Sequence, residues 1–149
     1  DIALHDDRLV ISGGRTLKGI KIDANDIPDL LPTLAVIGCI AEGKTEIMNV
    51  AQARIKETDR IHSMTEGLRR LGANVEEYPD GMVVHKSSLR GATVKGYGDH
   101  RTVMALSLAG MLAEGTTVVE EGEAVDKTFP RFVEVMQGLG GKLTQLSTF

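Results

Sequence analysis

The sequence predicts an α/β fold of the α+β type, in which two copies of one unit enclose buried helices between sheets. Residues 19–50 resemble residues 91–122, which lie 72 positions further along the chain of 149. Each segment holds a nearly uninterrupted apolar stretch of helix length, flanked by short runs rich in β-branched residues. A helix that is apolar on every side belongs in a protein interior, so we expect sheets around both helices. The expected repeat units are residues 19–90 and 91–149.

The two copies match at individual positions as well as in pattern. The clearest pairs are Gly19 with Gly91, Leu34 with Leu106, Gly38 with Gly110, and Thr45 with Thr117. Weaker matches relate residues 7–11 to 80–84, 56–60 to 127–131, and 71–73 to 139–141. Such self-similarity indicates a duplicated supersecondary unit. We therefore expect one secondary structure for both segments, with Leu34 and Leu106 both buried.

Each unit is expected to follow the same order of elements. The first unit has predicted strands at 19–23, 45–50, 74–77 and 82–85, an apolar helix at 29–42, and an amphipathic helix carrying Ile61, Met64, Leu68 and Leu71. The second has predicted strands at 92–95, 116–120 and 142–146, an apolar helix at 99–114, and an amphipathic helix carrying Phe132, Val135, Met136 and Leu139. The spacing of those apolar residues is helical. Gly43 and Gly115 are suited to end the apolar helices.

The composition argues against several classes of protein. No apolar run is long enough to span a bilayer, and the polar first residues predict no signal peptide. A net charge of −4 and an aromatic content of 3% argue against nucleic-acid binding, which needs a basic face and stacking rings. The single cysteine, Cys39, cannot form a disulfide within the chain, which predicts a reducing, cytoplasmic setting. Because the first residue is not methionine, we expect a piece of a longer protein.

Three polar clusters interrupt the apolar pattern, and each lies where a helix is predicted to begin. The first is Asn-Asp-Ile-Pro-Asp at 25–29. The ordinary interpretation of Asp29 is an N-cap, whose carboxylate accepts backbone N–H bonds and suits the helix dipole. The alternative is a functional carboxylate at the same position.

The second cluster is Arg-Ile-Lys-Glu-Thr-Asp-Arg at 54–60, with five charged residues in seven. The ordinary interpretation is a solvated loop that enters a helix, with Thr58 or Asp59 as the cap. However, cations have the wrong sign for the positive end of a helix dipole. Their presence is explained if an anion binds there, since N-terminal amides and cations together form a phosphate or carboxylate site.

The third cluster is Asp99-His100-Arg101, and Lys127 precedes a further helix start. At the repeat offset Asp29 falls opposite Arg101, so equivalent helix starts carry an acid in one unit and a base in the other. Together the clusters predict a site for a small, multiply anionic substrate with acid–base groups nearby. The four histidines lack metal-ligand spacing, and no phosphate-binding glycine loop occurs. We therefore expect chemistry without a metal or cofactor.

Four motifs resemble those of the 5-enolpyruvylshikimate-3-phosphate synthase family. The run at 54–60 resembles the signature R-x-K-E-[ST]-D-R, which is long, charged and specific. Similar matches are the segments 23–29, 99–101 and 127–130, which occur in the family's order. The resemblance covers most of the chain from about residue 19 onward. By this resemblance the chain is the C-terminal portion of such an enzyme.

The resemblance implies an enolpyruvyl transferase-like fold of two domains, each with three βαββαβ units around buried helices. The two units here would form part of one domain, and an N-terminal part of the enzyme would be missing. The implied reaction adds the 5-hydroxyl of shikimate 3-phosphate to C2 of phosphoenolpyruvate while C3 is protonated. The tetrahedral intermediate then loses phosphate. No cofactor is implied.

The resemblance also implies roles for residues. Asp29, Lys56 and Glu57 would be catalytic, and which of the two carboxylates moves which proton stays open. The implied substrate-binding residues are Asp29, Gln52, Lys56, Arg60, His100, Arg101 and Lys127. Arginine suits the phosphate and carboxylate of phosphoenolpyruvate because its planar fork makes bidentate contacts. Gln52 stands where the family usually has asparagine, so its role carries over weakly.

Two other functions compete with this one. The UDP-N-acetylglucosamine enolpyruvyl transferases have the same fold, but they lack the Lys-Glu-Thr-Asp-Arg string and use a cysteine nucleophile. Cys39 lies in an apolar stretch and does not suit that role. The second alternative is a non-catalytic, anion-binding module of repeats. Because only one wall of a two-domain cleft is expected, the chain alone should be inactive.

Overall fold

A computed structural model describes residues 2–146, within which strands and helices alternate. The strands are β1 (Ile2–His5), β2 (Arg8–Ile11), β3 (Lys21–Asp23), β4 (Lys44–Met48), β5 (Val75–Tyr78), β6 (Gly81–His85), β7 (Thr93–Val94) and β8 (Val118–Val119). The α-helices are α1 (Leu31–Ile40), α2 (Arg60–Arg70), α3 (His100–Leu112) and α4 (Phe132–Gly138). Three short 3-10 helices, which the sequence did not indicate, are Pro28–Leu30, Ala51–Ile55 and Gly122–Lys127.

The strands form one four-stranded and two smaller sheets. The large sheet has the order β3-β4-β6-β5, in which β3 and β4 are parallel and the other neighbours are antiparallel. In the second unit, β7 and β8 form a parallel pair. An N-terminal hairpin, β1–β2, is antiparallel, and all eight of its residues are exposed. Among residues 2–146, no helix is both long and apolar enough for a membrane span.

Helices α1, α2 and α3 pack against one another beside the large sheet. The first and third are the two apolar helices of the repeat, and α2 is amphipathic. The apolar side of α2 is fully buried through Ile61, Met64 and Leu68. Cys39 of α1 is also fully buried, and burial raises the pKa of its thiol to about 12. The apolar sequence pattern therefore fixes which helices form the core.

The two units repeat their backbone pairings as well as their elements. The bridge Lys18↔Glu42 has its counterpart in Arg90↔Glu114, and the pair Lys21↔Glu46 has its counterpart in Thr93↔Val118. Gly19 and Gly91 lie in these crossings. A Cβ atom on Gly19 would stand 2.0 Å from the carbonyl oxygen of Lys44, and one on Gly91 would stand 2.2 Å from that of Thr116. Glycine is required at both positions because two backbones touch. The backbone pairings therefore recur at the same 72-residue spacing as the sequence, and the division into units at 19–90 and 91–149 stays a prediction.

Several expectations about the elements are wrong. The predicted strand at 142–146 is irregular chain, because no neighbouring strand is there to pair with it. The predicted helix at 29–42 begins as a 3-10 turn and becomes α-helical only at Leu31. Leu106 is fully buried as expected, but Leu34 is only half-buried. Helices α1 and α3 leave between them an apolar groove of about 260 Å³, lined by side chains such as Ile37 and Leu112.

Candidate active site

The centre of the charged cluster is Arg60, the first residue of α2. Asp59 caps this helix, since its Oδ1 accepts a hydrogen bond from the backbone N–H of His62 at 2.9 Å. Of the two predicted caps, Thr58 and Asp59, the structure selects Asp59. The cap fixes where α2 begins, and the Arg60 side chain then points into the interior, where it is 1% exposed.

The guanidinium of Arg60 binds three carboxylates at once. Its Nε donates to Asp99 Oδ2 at 2.8 Å, and its Nη2 donates to Asp99 Oδ1 at 3.1 Å. Its Nη1 donates to Asp29 Oδ1 at 2.8 Å, and Nη2 also donates to Glu57 Oε2 at 2.6 Å. Four of the five N–H groups of a guanidinium are thus engaged. These hydrogen bonds and ion pairs compensate for the free-energy cost of removing the guanidinium charge from water.

Asp99 is the fully buried member of this network. It caps α3, accepting from the backbone N–H of Arg101 at 3.1 Å, and it also accepts from Thr102 Oγ1 at 2.9 Å. Burial raises the pKa of Asp99, but the hydrogen bonds and charge of Arg60, helped by Thr102, outweigh burial and hold the pKa below its ordinary value. Asp99 is therefore an ionised link between the first turns of α2 and α3.

Asp29 lies in the 3-10 turn Pro28–Leu30, and its side chain caps no helix. The N-cap interpretation is therefore wrong. Lys56 Nζ lies 3.6 Å from its Oδ1, and Arg101 Nη2 lies 3.6 Å from its Oδ2. Partial burial raises the pKa of Asp29, but the charges of Arg101, Lys56 and Arg60 outweigh burial and hold the pKa below its ordinary value. Three cationic residues, Lys56, Arg60 and Arg101, thus surround one carboxylate.

Three further predicted site residues are cations at the margin of the cluster. Lys56 and Arg101 are partly exposed and approach Asp29 without a hydrogen bond. Lys127 is exposed, and its Nζ donates to the carbonyl oxygen of Gly98 at 2.8 Å, one residue before the cap of α3. These cations retain N–H groups that can bind an anion.

Gln52 and His100 support the cluster in different ways. The Nε2 of Gln52 donates to the carbonyl oxygen of Asn25 at 2.6 Å, which ties the 3-10 helix Ala51–Ile55 to the loop before Asp29. His100 is buried, and its Nδ1 lies 3.7 Å from Asp99 Oδ1 with no hydrogen-bond partner among residues 2–146. Leaving a buried polar atom unpaired costs about 1–3 kcal/mol, so a partner for this nitrogen would be stabilising.

The charged run at 54–60 does not form a single anion site. Arg54 Nη1 donates to Asp59 Oδ2 at 2.7 Å and to Glu77 Oε1 at 3.0 Å. Its Nη2 donates to the carbonyl oxygen of Tyr78 at 2.6 Å. Arg54 therefore anchors the cap of α2 to the end of β5. The positive residues at this helix start all face the protein's own carboxylates, and Lys56 differs in approaching Asp29 without a hydrogen bond.

Sequence reasoning does not reveal the partner that Arg60 needs. It places Asp99 near the site only as a neighbour of Arg101, and it overlooks the hydroxyls of Thr102 and Ser63, which lie 3.3 Å apart. The sequence does indicate that Arg60 and Asp99 stand at the starts of two helices. It also indicates that the apolar residues of both helices belong to one core. The sequence does not indicate that these two helix starts, which are 39 residues apart in the chain, lie in contact.

Glu57, Asp99 and His100 form the group of possible metal ligands among residues 2–146, with one ligand atom of each within 4.8 Å of the others. However, Glu57 Oε2 and both oxygens of Asp99 already accept hydrogen bonds from Arg60. A metal ion would have to compete with a buried guanidinium. The arrangement instead suits an anionic ligand, which the marginal cations attract while the ionised carboxylates accept protons or hydroxyl hydrogen bonds.

Comparison with known sequences gives a consistent result. The sequence profile of the family "EPSP synthase (3-phosphoshikimate 1-carboxyvinyltransferase)" matches residues 1–136. The 3-phosphoshikimate 1-carboxyvinyltransferase of Methanocaldococcus jannaschii is 49% identical over 144 residues, which is 96% of this chain and 34% of the relative. That of Ruminiclostridium cellulolyticum is 52% identical over 130 residues, covering 87% of this chain and 31% of the relative. The chain thus spans about a third of the length of these relatives.

Comparison with solved structures supports the same fold. The EPSP synthase of Acinetobacter baumannii superimposes with a TM-score of 0.81 and 30% identity, covering 92% of this chain and 34% of that one. The enolpyruvyl transferase NikO of Streptomyces tendae superimposes with a TM-score of 0.75 over 95% of this chain, at 18% identity. The second match concerns the fold alone. The enolpyruvyl transferase-like fold that the sequence predicts is therefore confirmed.

Proposed function

Because the chain belongs to the EPSP synthase (3-phosphoshikimate 1-carboxyvinyltransferase) family, we propose that it forms one wall of an enolpyruvyl transfer site. The complete protein transfers the enolpyruvyl group of phosphoenolpyruvate to the 5-hydroxyl of shikimate 3-phosphate and releases phosphate. Its setting is cytoplasmic, in agreement with the single unpaired cysteine. The observation that carries the proposal is the cluster in which ionised carboxylates and partly exposed cations surround the first turns of α1, α2 and α3.

The cations of the cluster suit the charges of the two substrates. Phosphoenolpyruvate carries a phosphate and a carboxylate, and shikimate 3-phosphate also carries both. Lys56, Arg101 and Lys127 can bind such oxyanions because their N–H groups are not all used within the protein. Arg101 is suited to bidentate contacts, and Lys56, beside Asp29, is suited to bridge the two substrates. These contacts would hold the attacking hydroxyl near C2 of phosphoenolpyruvate.

The carboxylates of the cluster suit the proton transfers. In the addition step the 5-hydroxyl loses its proton as its oxygen bonds to C2, and C3 gains a proton. In the elimination step C3 loses a proton, and the C2–O bond to phosphate breaks. Asp29 is a candidate for the group that accepts hydrogen bonds from the ring hydroxyls, because its lowered pKa keeps it ionised at neutral pH. Glu57 stands on the other side of Arg60 and is the second candidate for a proton carrier.

Arg60, Gln52 and His100 complete the proposal as residues around the reacting groups. Arg60 has one N–H group left after its four hydrogen bonds to carboxylates, so its larger effect is to position Asp29 and Glu57. A direct contact with phosphoenolpyruvate would use that remaining group. Gln52 holds the loop before Asp29. His100 offers a buried nitrogen that a substrate oxygen or a water can engage.

The proposal is tested by grafting this chain in place of the matching segment of a family member, which the sequence identity permits. The grafted protein should consume phosphoenolpyruvate with shikimate 3-phosphate and release phosphate, whereas the 149-residue chain alone should show no turnover. A cleft with one wall missing lacks the water exclusion on which such chemistry relies. Turnover by the chain alone would contradict the incomplete-site proposal. A folded graft that accepts only a UDP-sugar would contradict the substrate assignment.

A single substitution in the grafted protein tests the site itself. Arg101→Ala should lower kcat/KM for phosphoenolpyruvate on the order of 10²-fold, because a charged contact made to the substrate is lost. Arg131→Ala is the matched control, since Arg131 lies on the surface and pairs with Glu134. Equal activities of the two variants would remove Arg101 from the site.

A further inference from the structure

The segment 56–59 joins the 3-10 helix Ala51–Ile55 to α2 and carries two candidate site residues, Lys56 and Glu57. Within residues 2–146, no backbone N–H group of this segment donates to a backbone carbonyl. A segment without backbone hydrogen bonds of its own moves easily unless side chains hold it. The positions of Lys56 and Glu57 therefore depend on how the two flanking helices are anchored.

Arg54, in the last turn of the 3-10 helix, closes this segment by a contact with Asp59. Its Nη1 donates to Asp59 Oδ2 at 2.7 Å, across five residues of chain. The other oxygen of Asp59 caps α2 by accepting from the N–H of His62. The side chains of Arg54 and Asp59 are 26% and 37% exposed, so the pair is partly shielded from water. One contact thus joins the end of the 3-10 helix to the start of α2.

The same guanidinium also binds the turn between β5 and β6. Its Nε donates to the carbonyl oxygen of Pro79 at 2.8 Å, its Nη2 to that of Tyr78 at 2.6 Å, and its Nη1 to Glu77 Oε1 at 3.0 Å. At the start of the 3-10 helix, the N–H of Val50 donates to the carbonyl oxygen of Asp80 at 2.8 Å. The 3-10 helix is therefore fixed to the large sheet at both of its ends.

The contacts of Arg54 require the shape of a guanidinium as well as its charge. Four of its five N–H groups are used, by the Asp59 and Glu77 carboxylates and by two backbone carbonyls. A lysine ammonium is a point charge and cannot reach these separate acceptors from one place. In contrast to Lys56 and Arg101, Arg54 is committed to the protein, although it stands two residues before Lys56.

We propose that Arg54 is a positioning residue, which sets the places of Lys56 and Glu57 by tying Asp59 and the 3-10 helix to the β5–β6 turn. The proposal rests on the enolpyruvyl transfer function proposed above, because it assumes that Lys56 and Glu57 act on the substrates. Arg54 itself contacts neither substrate. A misplacement of about 1 Å at reacting groups can cost on the order of 10²-fold in rate, so loosening the segment should lower kcat.

The first test compares two arginines that tie neighbouring elements to β5, in the grafted protein described above. Arg54→Lys should lower kcat about tenfold or more and change the two KM values less than kcat. Arg69→Lys is the matched control, since Arg69 Nε and Nη2 donate to the carbonyl oxygen of Val75 at 3.0 and 2.8 Å, at the end of α2 far from the segment. The control should keep kcat within about twofold.

The outcomes of this comparison separate the two proposals. A graft that shows no turnover before any substitution contradicts the proposed function, and the positioning role falls with it. An active graft whose Arg54→Lys variant keeps its kcat contradicts the positioning role alone. Thermal unfolding of each variant checks that it is folded at the assay temperature.

The second test separates the contact with Arg54 from the cap of α2. Asparagine caps a helix about as well as aspartate, so Asp59→Asn retains the bond to the N–H of His62 and loses the charge that pairs with Arg54. Asp59→Asn should lower kcat about threefold or more, and adding it to Arg54→Lys should cost less than about twofold further, because both break one contact. Losses that multiply would contradict the proposal.

A third measurement reports on the segment without relying on turnover. A protease specific for glutamate should cut the folded Arg54→Lys graft after Glu57 about fivefold faster than the unchanged graft, because the segment opens more often. Arg69→Lys should leave that rate unchanged. Mass spectrometry of the fragments identifies the cut. A lowered kcat with an unchanged rate of cleavage after Glu57 would show that Arg54 acts by another route and would overturn the proposal.

Discussion

The two repeat units have similar sequences but differ in the sheet that the structure describes for each. In the first unit a four-stranded sheet covers the apolar side of α2, and Leu71 is fully buried. In the second unit the described sheet has two strands, α4 is buried at Phe132, and Leu139 at its C-terminal end is 77% exposed. Within residues 2–146, the first unit includes the β5–β6 hairpin and the second has no counterpart of it. Whether a repeated residue is buried therefore depends on the elements that pack around it, and the repeat pattern alone does not determine it.

The arginines that match between the units show the same contrast. Arg60 is 1% exposed and bonded to three carboxylates, whereas Arg131 is 71% exposed and pairs with Glu134 alone. Both precede or begin the amphipathic helix of their unit. This position is therefore the centre of a charged cluster in the first unit, whereas it lies at the surface in the second.

The largest expected effect concerns this pair of arginines. Arg60→Ala should lower the free energy of unfolding by about 3–5 kcal/mol, because it leaves Asp99 buried without its counter-charge. Arg131→Ala should leave the free energy of unfolding almost unchanged, since water screens its ion pair. Denaturant unfolding of both variants, at concentrations where the chain is monomeric, measures the difference.

A double variant tests whether Arg60 and Asp99 stabilise the fold as a coupled pair. Arg60→Ala combined with Asp99→Ala should recover part of the lost stability, because no unpaired buried charge remains. If the double variant is less stable than Arg60→Ala by the full cost of the second change, the two side chains are not coupled. Similar losses for Arg60→Ala and Arg131→Ala would remove the contrast between the units.

The second prediction compares the matching leucines of the two amphipathic helices. Leu71→Ala should cost about 2–5 kcal/mol, because it empties a volume in the packed core of the first unit. Leu139→Ala should change the stability of the monomer little, since its side chain already contacts water. Thermal or denaturant unfolding of dilute samples is the measurement. A large loss for Leu139→Ala under those conditions would show that the second unit is better packed than described.

The smallest effect is expected in acid. The folded-state pKa of Asp99 lies below its ordinary value of 3.8, so its ion pair stabilises the fold above that pH and is lost as the pH falls further. Asp99→Asn should therefore flatten the pH dependence of the unfolding free energy below about pH 4. Glu134→Gln, in the exposed pair of the second unit, should flatten it far less. Identical acid profiles for wild type and Asp99→Asn would contradict a lowered pKa.

Much of the fold could be predicted because it depends on local pattern. The apolar stretches at α1 and α3 and the spacing of Ile61, Met64 and Leu68 indicated the helices correctly. The strand at 142–146 was wrong because a strand also needs a neighbour, and the sequence does not say whether one is present. Leu34 was expected to be buried like Leu106, but it packs only at the margin of the core and is half-buried. Where the pattern of apolar residues does not determine burial or strand formation, contacts with other parts of the molecule determine it.

The sequence indicates which charged residues cluster better than it indicates how they are arranged. Asp29, Lys56, Glu57 and Arg101 do come together, as the family motifs suggested. Their substrate roles stay predictions. The choice between an N-cap and a free carboxylate at Asp29 depended on a 3-10 turn that the sequence did not indicate. The burial of Arg60 depended on Asp99, which lies far away in the chain and is brought close only by the packing of α2 on α3.

The close backbone crossings at Gly19 and Gly91 explain why both units carry glycine at this position. Any side chain at either glycine would collide with the adjacent strand, so each copy is separately barred from changing there. Asp29 and Arg101 hold matching positions in the two units and are opposite in charge. The identity between the copies thus records where backbones touch. Asp29 and Arg101, which are proposed to act on the substrates, stand at positions where the two copies differ.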